Sequence, residues 1–248
     1  MPEAATLDHP AGARASTPLL AVRDLEGWYG ESHVLHGMAF DVHEGEVVTL
    51  LGRNGAGKTT TMKAIMGMLP KRKGSVMFEG RETIGLPARA IARAGIAFCP
   101  EERGVFASLS VEENLMLPPK VKPGGLTVEQ IFELFPNLKE RLSSQGTKLS
   151  GGEQQMLAIG RILRTGAKFL LLDEPTEGLA PVIVQQIGRT IARLKDEGFT
   201  IVLVEQNFHF AASVADRHYV VEQGRVIDMI PNSELEANID KLHAYLGV

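Results

Sequence analysis

The sequence is poor in the features that would place it outside a reducing, water-filled compartment. It has one cysteine, Cys99, among 248 residues, which excludes an internal disulfide and suits a reducing cytoplasm. No apolar run approaches the roughly 20 residues that a bilayer-spanning helix needs, so any connection to a membrane must run through a partner. A surplus of positive charge is missing too. With 26 basic and 30 acidic residues the net charge is −4, which argues against nucleic acid as a partner. Residues 1–18 hold Ala, Pro, Thr and charges but no apolar core of the signal-peptide kind, and read as a loose tail. Internal repeats and low-complexity tracts are absent. The whole chain, 44% apolar and 23% charged, has the balance of an ordinary globular protein. Its length suits one large domain or a core with an inserted subdomain.

What is present is phosphate chemistry. Gly52-Arg53-Asn54-Gly55-Ala56-Gly57-Lys58-Thr59-Thr60 reads G-x-x-x-x-G-K-T. Ahead of it Val47 to Leu51 is short, apolar and β-branched, as a buried strand should be. Behind it Thr59 to Met68 puts Met62, Ile65, Met66 and Leu69 on one helical face. Strand, glycine loop and helix in that order cradle phosphate, because the loop N–H groups turn inward towards the positive end of the helix dipole. Lys58 then reaches the β and γ phosphates of a nucleotide, and the Thr59 hydroxyl can ligate Mg²⁺.

Two more stretches carry the same chemistry. Leu149-Ser150-Gly151-Gly152-Glu153-Gln154-Gln155 has the Ser150/Glu153 spacing of a capping box with two glycines in the first helical turn. Those glycines cost about 1 kcal/mol each relative to alanine, so stability does not account for them; bare helix-start N–H groups make a second anion site. Lys168 to Glu174 is an apolar strand ending in two acids, at the strand end where α/β sheets bind ligands. Asp173 is suited to hold Mg²⁺ and Glu174 to polarise an attacking water.

The remaining chain supplies the frame. Leu20 to Arg23, Gly27 to Gly30, His33 to Val42 and Ser75 to Phe78 read as strands before the next parallel strand at Ile96 to Phe98. Residues 102–165 carry helix starts at Ser110 and Thr127 and read as a helical insertion. Pro181 to Gly198 reads as a helix with Val182, Ile183, Ile187, Ile191 and Leu194 inward, followed by a core strand at Thr200 to Val204. His218 to Ile230 forms a hairpin, and a short helix runs from Lys241 to Leu246. An exposed ring at Tyr29 could stack on a purine, but an ordinary sheet aromatic explains it equally well, and Trp28 competes.

The glycine loop, the Leu-Ser-Gly-Gly-Glu-Gln-Gln signature and the strand ending Asp173-Glu174, in this order, resemble the ATP-binding cassette of ABC transporters from Leu19 onward. Pro100 to Phe106, Glu177 to Pro181 and Val204 to Asn207 look like the branched-chain amino-acid (LivF-type) importer subfamily. The resemblance implies an α/β P-loop NTPase fold: a RecA-like parallel core, an N-terminal antiparallel β subdomain and an inserted helical subdomain. It implies ATP hydrolysis with Mg²⁺, adenine on Tyr29, Glu174 as general base, and Glu101 beside Thr59 and Asp173 at the ion. Gln206 stands where most cassettes have a histidine at the γ-phosphate, Glu101 where most have glutamine, and Ala180 where aspartate is usual. Ser150 to Glu153 would close over ATP held by a second cassette, of the same or another kind. The implied partners are permease subunits at the cytoplasmic face of the cell membrane and, through them, a solute-binding protein. The rivals are a soluble ABC-type ATPase, which usually has two cassettes or a coiled coil, and a small-molecule kinase, which would lack the signature.

Overall fold

Three strands with every residue buried lie side by side within the larger sheet: β3 (Val47–Leu51), β7 (Phe169–Asp173) and β8 (Thr200–Glu205). The computed structural model describes residues 17–246; the tail expected over residues 1–18 lies outside these but for its last two positions. In chain order β1 (Leu20–Tyr29) and β2 (Ser32–Val42) precede β3. Then come α1 (Lys58–Ile65), β4 (Lys71–Phe78), β5 (Arg81–Glu82), α2 (Ala88–Ala94) and β6 (Ile96–Cys99). The insertion holds α3 (Val111–Met116), α4 (Val128–Leu134), α5 (Pro136–Glu140) and α6 (Gly151–Leu163). After β7 follow α7 (Pro181–Asp196), β8, α8 (Phe208–Val214), β9 (Arg217–Glu222), β10 (Arg225–Pro231) and α9 (Ile239–Leu246).

The larger sheet has the order β10-β9-β3-β8-β7-β6 and is parallel from β9 to β6, with β10 antiparallel at the edge. The smaller, β2-β1-β4-β5, is antiparallel. Successive residues of a strand face opposite sides, so one run of leucines serves two cores. Leu170, Leu172, Ile201 and Leu203 pack with the helical insertion and α7, whereas Phe169, Leu171, Val202 and Val204 pack with α1 and the antiparallel sheet. Parallel strands share a direction, so the carboxyl ends of β3, β7 and β8 lie side by side.

Several local expectations are corrected. β1 is one strand, not two; a bulge at Asp24 (φ 47°) lets it run on through residues read as a break. β4 begins at Lys71 rather than Ser75, because Gly74 (φ 105°) bends with the bulge instead of ending the chain's extension. α1 stops at Ile65, before Met68, though Met62, Ile65, Met66 and Leu69 are all buried as expected. Val182 does not face inward: it is 64% exposed. Five residues before Ile187, it lies about 140° round the helix from the apolar stripe. α8 is a short helix with no expectation in the sequence, capped by Asn207, whose Oδ1 accepts from the Phe210 N–H.

Candidate active site

β3 delivers the chain to Gly52, and the loop turns into α1 at Gly57, whose φ of 105° admits glycine and strains any residue with a Cβ. No side chain caps α1, so its first N–H groups are left for a ligand. Lys58 is buried, and its ammonium donates to the carbonyls of Gly52 at 2.8 Å and Arg53 at 3.2 Å. It also lies 3.7 Å from Glu174 Oε1. Burial lowers the Lys58 pKa, and the acids Glu174, Asp173 and Glu205 oppose that. The Ala56 N–H bonds Arg53 O at 3.1 Å and closes the loop.

β7 ends beside this loop. Thr59 Oγ1 donates to Asp173 Oδ1 at 2.9 Å, while the other oxygen, Oδ2, is buried and accepts no hydrogen bond from the described residues. Burial pushes the Asp173 carboxyl up to about 6; the Thr59 hydroxyl pulls it down, and Glu174 and Glu101 add to the rise. A buried carboxylate with one free oxygen, a hydroxyl on the other and further acids nearby is a donor set that calls for a cation. Among the described residues no group of three His, Cys, Asp or Glu side chains makes a metal cage, so phosphate oxygens would have to complete the shell, as is usual for Mg²⁺.

Glu174 sits on left-handed backbone (φ 45°), held by its N–H on Val204 O at 3.0 Å. That twist turns its side chain back over the loop, where Gln206 Nε2 donates to its Oε2. A cavity of about 500 Å³ gathers Asn54, Gly55, Gly57, Lys58, Thr59 and Thr60 with Tyr29, Glu101, Glu174 and Gln206. Tyr29 enters it half exposed. Trp28 does not, because its ring stacks on His33 at 4.3 Å with the Lys71 ammonium 4.8 Å from the ring centre. Gly52, Arg53 and Ala56 belong to the loop but do not line the cavity.

Ser150, Gly151, Gly152 and Glu153 do not line this cavity. They form the start of α6 as a capping box: Ser150 Oγ accepts from the Glu153 N–H at 3.3 Å, and Glu153 Oε2 accepts from the Ser150 N–H at 2.7 Å. Two acids had no assigned role in the sequence. Glu177 joins the cavity wall, its carboxyl raised by desolvation and then by Glu174 and Glu101. Glu205 is buried under the Gln206 loop, bonded by Thr176 Oγ1 at 2.7 Å. A signal existed for Glu205, an acid closing an otherwise apolar strand, but its partner lies on another strand's exit. A larger cavity of about 760 Å³, over Gly188 and Phe210 between α7 and α8, contains none of the loop residues.

This arrangement can hold a nucleoside triphosphate by its phosphates, seat a divalent cation and offer a carboxylate to water at the γ position. Comparison with known proteins gives the family. Residues 35–177 match the ABC transporter family. Over 238 residues the chain is 44% identical to the high-affinity branched-chain amino acid transport ATP-binding protein BraG of Pseudomonas aeruginosa, covering 92% of this chain and all of that one. It is 35% identical to the lipopolysaccharide export system ATP-binding protein LptB of Escherichia coli over 92% of this chain and 97% of LptB. A dimeric ATP-binding cassette solved with ADP and Pi has the same fold, with a TM-score of 0.76 at 23% identity over 86% of this chain and 98% of its own. With the family match spanning more than half of the chain and the likeness to BraG running through nearly all of it, the protein belongs to the ABC transporter family.

Proposed function

We propose that the chain is the ATP-hydrolysing subunit of an importer for branched-chain or related small amino acids or amides. The observation that carries the reading is the meeting of Lys58, Thr59 and Glu174 in one cavity, with the buried Asp173 carboxylate bonded to Thr59 at its wall. Lys58 neutralises the β and γ phosphates, and Tyr29 stacks on adenine. Thr59 and Asp173, with Glu101 beside them, would hold Mg²⁺; when bound, the ion draws charge from the phosphate oxygens. Glu174 takes the proton of the water that attacks the γ-phosphorus, and Gln206 holds the carboxylate in place from the opposite side. Ser150 to Glu153, being outside their own chain's cavity, act on ATP bound to a second cassette.

The permease contact is read from a groove between the nucleotide core and the insertion. Its volume is about 350 Å³, and its walls are Met66, Met68, Ala92, Phe98, Val121 and Ile162. Among the described residues no helix is long and apolar enough to cross a membrane. An apolar groove with Met68 54% exposed therefore suits a short helix of an integral-membrane partner at the cytoplasmic face. Similarity to BraG favours import and similarity to LptB export, and the first is the stronger. Permease and binding protein recovered with the chain from gently solubilised membranes, then reconstituted in vesicles, should drive ATP-dependent leucine uptake. ATP-driven movement of lipopolysaccharide and not of amino acids would overturn the import reading.

A further inference from the structure

Glu205 closes β8 with 3% of its surface exposed, and among the described residues no basic side chain forms an ion pair with it. Its carboxylate is instead filled with hydrogen bonds. Thr176 Oγ1 donates to Oε1 at 2.7 Å, and the N–H groups of Gln206 and Asn207 donate to Oε2 at 3.2 and 3.3 Å. These donors come from two separate segments, the turn that follows Glu174 and the loop that carries Gln206. Glu174 and Gln206 are themselves bonded to each other. The contacts form a closed ring: Glu174, Pro175, Thr176, across to Glu205, along the chain to Gln206, and back to Glu174. A buried acid is a poor choice for packing alone, since desolvation of its charge costs more than an apolar side chain would.

We propose that Glu205 is the positioning residue of this site: it holds Gln206 against Glu174 and ties that contact to the turn at Thr176. The inference rests on the role given above to Glu174 and Gln206. It implies that a displacement of the turn at Thr176 reaches the attacking-water position through one carboxylate. Glu205 touches neither phosphate nor water in this scheme and acts through Gln206.

The test uses the full chain and steady-state ATP hydrolysis, with melting temperature measured alongside. Glu205→Gln removes the charge and leaves one acceptor oxygen. With that oxygen on the Gln206 and Asn207 N–H groups, the amide N–H₂ faces the Thr176 hydroxyl, which must turn round to accept. The charge-assisted bonds on both sides are then lost and the hold on the Gln206 loop weakens. The expected result is a fall in kcat of roughly ten- to a hundredfold, the worth of one or two lost charge-assisted hydrogen bonds, with KM for ATP within about threefold. In a Gln206→Ala background the same change should add almost nothing, because the route is already cut. Thr176→Val should lower kcat in the same direction, and Thr176→Ser, which keeps the hydroxyl, should restore most of it. If Glu205→Gln does not fold, the Thr176 pair carries the test. The proposal is overturned by a Glu205→Gln kcat near wild type, by full multiplication of its effect with that of Gln206→Ala, or by a silent Gln206→Ala. Glu174→Gln is run beside these. If it still hydrolyses ATP, the general-base reading has failed; if it is dead while Glu205→Gln is normal, only the positioning role has.

Discussion

At the scale of single residues the site is a problem in desolvation. Lys58, Asp173 and Glu174 are all buried; Glu174 and Asp173 favour the charge on Lys58, whereas Asp173 is relieved by the Thr59 hydroxyl and burdened further by Glu174. Glu174→Gln keeps the shape and can still accept the Gln206 hydrogen bond, but it cannot take a proton. ATP binding should persist while phosphate release slows by on the order of 10²–10⁴; near-normal release would remove Glu174 from the chemistry. His218 offers a pH test away from the phosphates. It is fully buried, with Thr49 Oγ1 2.6 Å from its Nδ1 and Asn232 Oδ1 3.0 Å from its Nε2. The neutral ring satisfies both, donating to Asn232 and accepting from the Thr49 hydroxyl. Burial pushes its pKa below the usual histidine value, against the smaller pull of Asn232 and Asp216. The unfolded chain therefore binds a proton near pH ~6.5 that the folded chain refuses until lower pH. Stability from this group is complete above that range and is lost as pH falls below about 6.5 towards the folded value. Urea titrations from pH 7.5 to 5 should show a steeper acid-side loss for the wild type than for His218→Gln. Equal slopes would mean that His218 protonates without penalty.

At the scale of elements, legibility followed the length of uninterrupted pattern. β3, β7 and β8 were readable because apolar runs ending in Gly52, Asp173 and Glu205 leave a buried parallel strand as the simplest account. The capping boxes at Ser110, Thr127 and Ser150 were equally clear, since each places both partners within four residues. The continuity of β1 was hidden because a left-handed Asp24 looks like a strand end when its antiparallel partner is unknown. α8 was hidden by its brevity, and Glu205 by a partner 29 positions away across two strands. Leu171 tests the two-sided reading of β7. It is fully buried, between β6 and β8, in the core that backs α1. Leu171→Ala should cost about 2–5 kcal/mol of folding stability through lost burial and a cavity. A urea midpoint within error of wild type would mean that the strand repacks and does not rigidly set Asp173.

At the scale of the whole molecule the start of α6 stands apart from the cavity that a second anion site would have to serve. Ser150 to Glu153 form a well-made helix start that their own chain's nucleotide cavity does not use. If two copies pair head to tail, each cavity is completed by the other's α6, and damage to the two halves is complementary. Lys58→Ala removes the phosphate cation. An acid at the α6 start would repel the γ-phosphate, and its position matters. At residue 152 a Cβ would meet Ile183 side-chain atoms at 3.0–3.3 Å, mixing a packing fault with the charge effect. At residue 151 the nearest atoms are the movable tip of Arg103 at 3.3 Å and Leu179 at 3.6 Å. An acid in the first turn also suits the helix dipole, so Gly151→Asp should fold normally. Each variant alone should be nearly inactive. In a mixture of free exchangers half of the pairs contain one of each, and each of these has one sound cavity, built from the Gly151→Asp chain's loop and the Lys58→Ala chain's α6. Recovery should approach roughly a quarter of wild-type turnover if the two cavities act independently. Lower recovery would show that both must be occupied for either to turn over, or that the natural partner is a different cassette. Full activity of Gly151→Asp alone would place α6 outside the ATP site, and the paired arrangement would lose its basis.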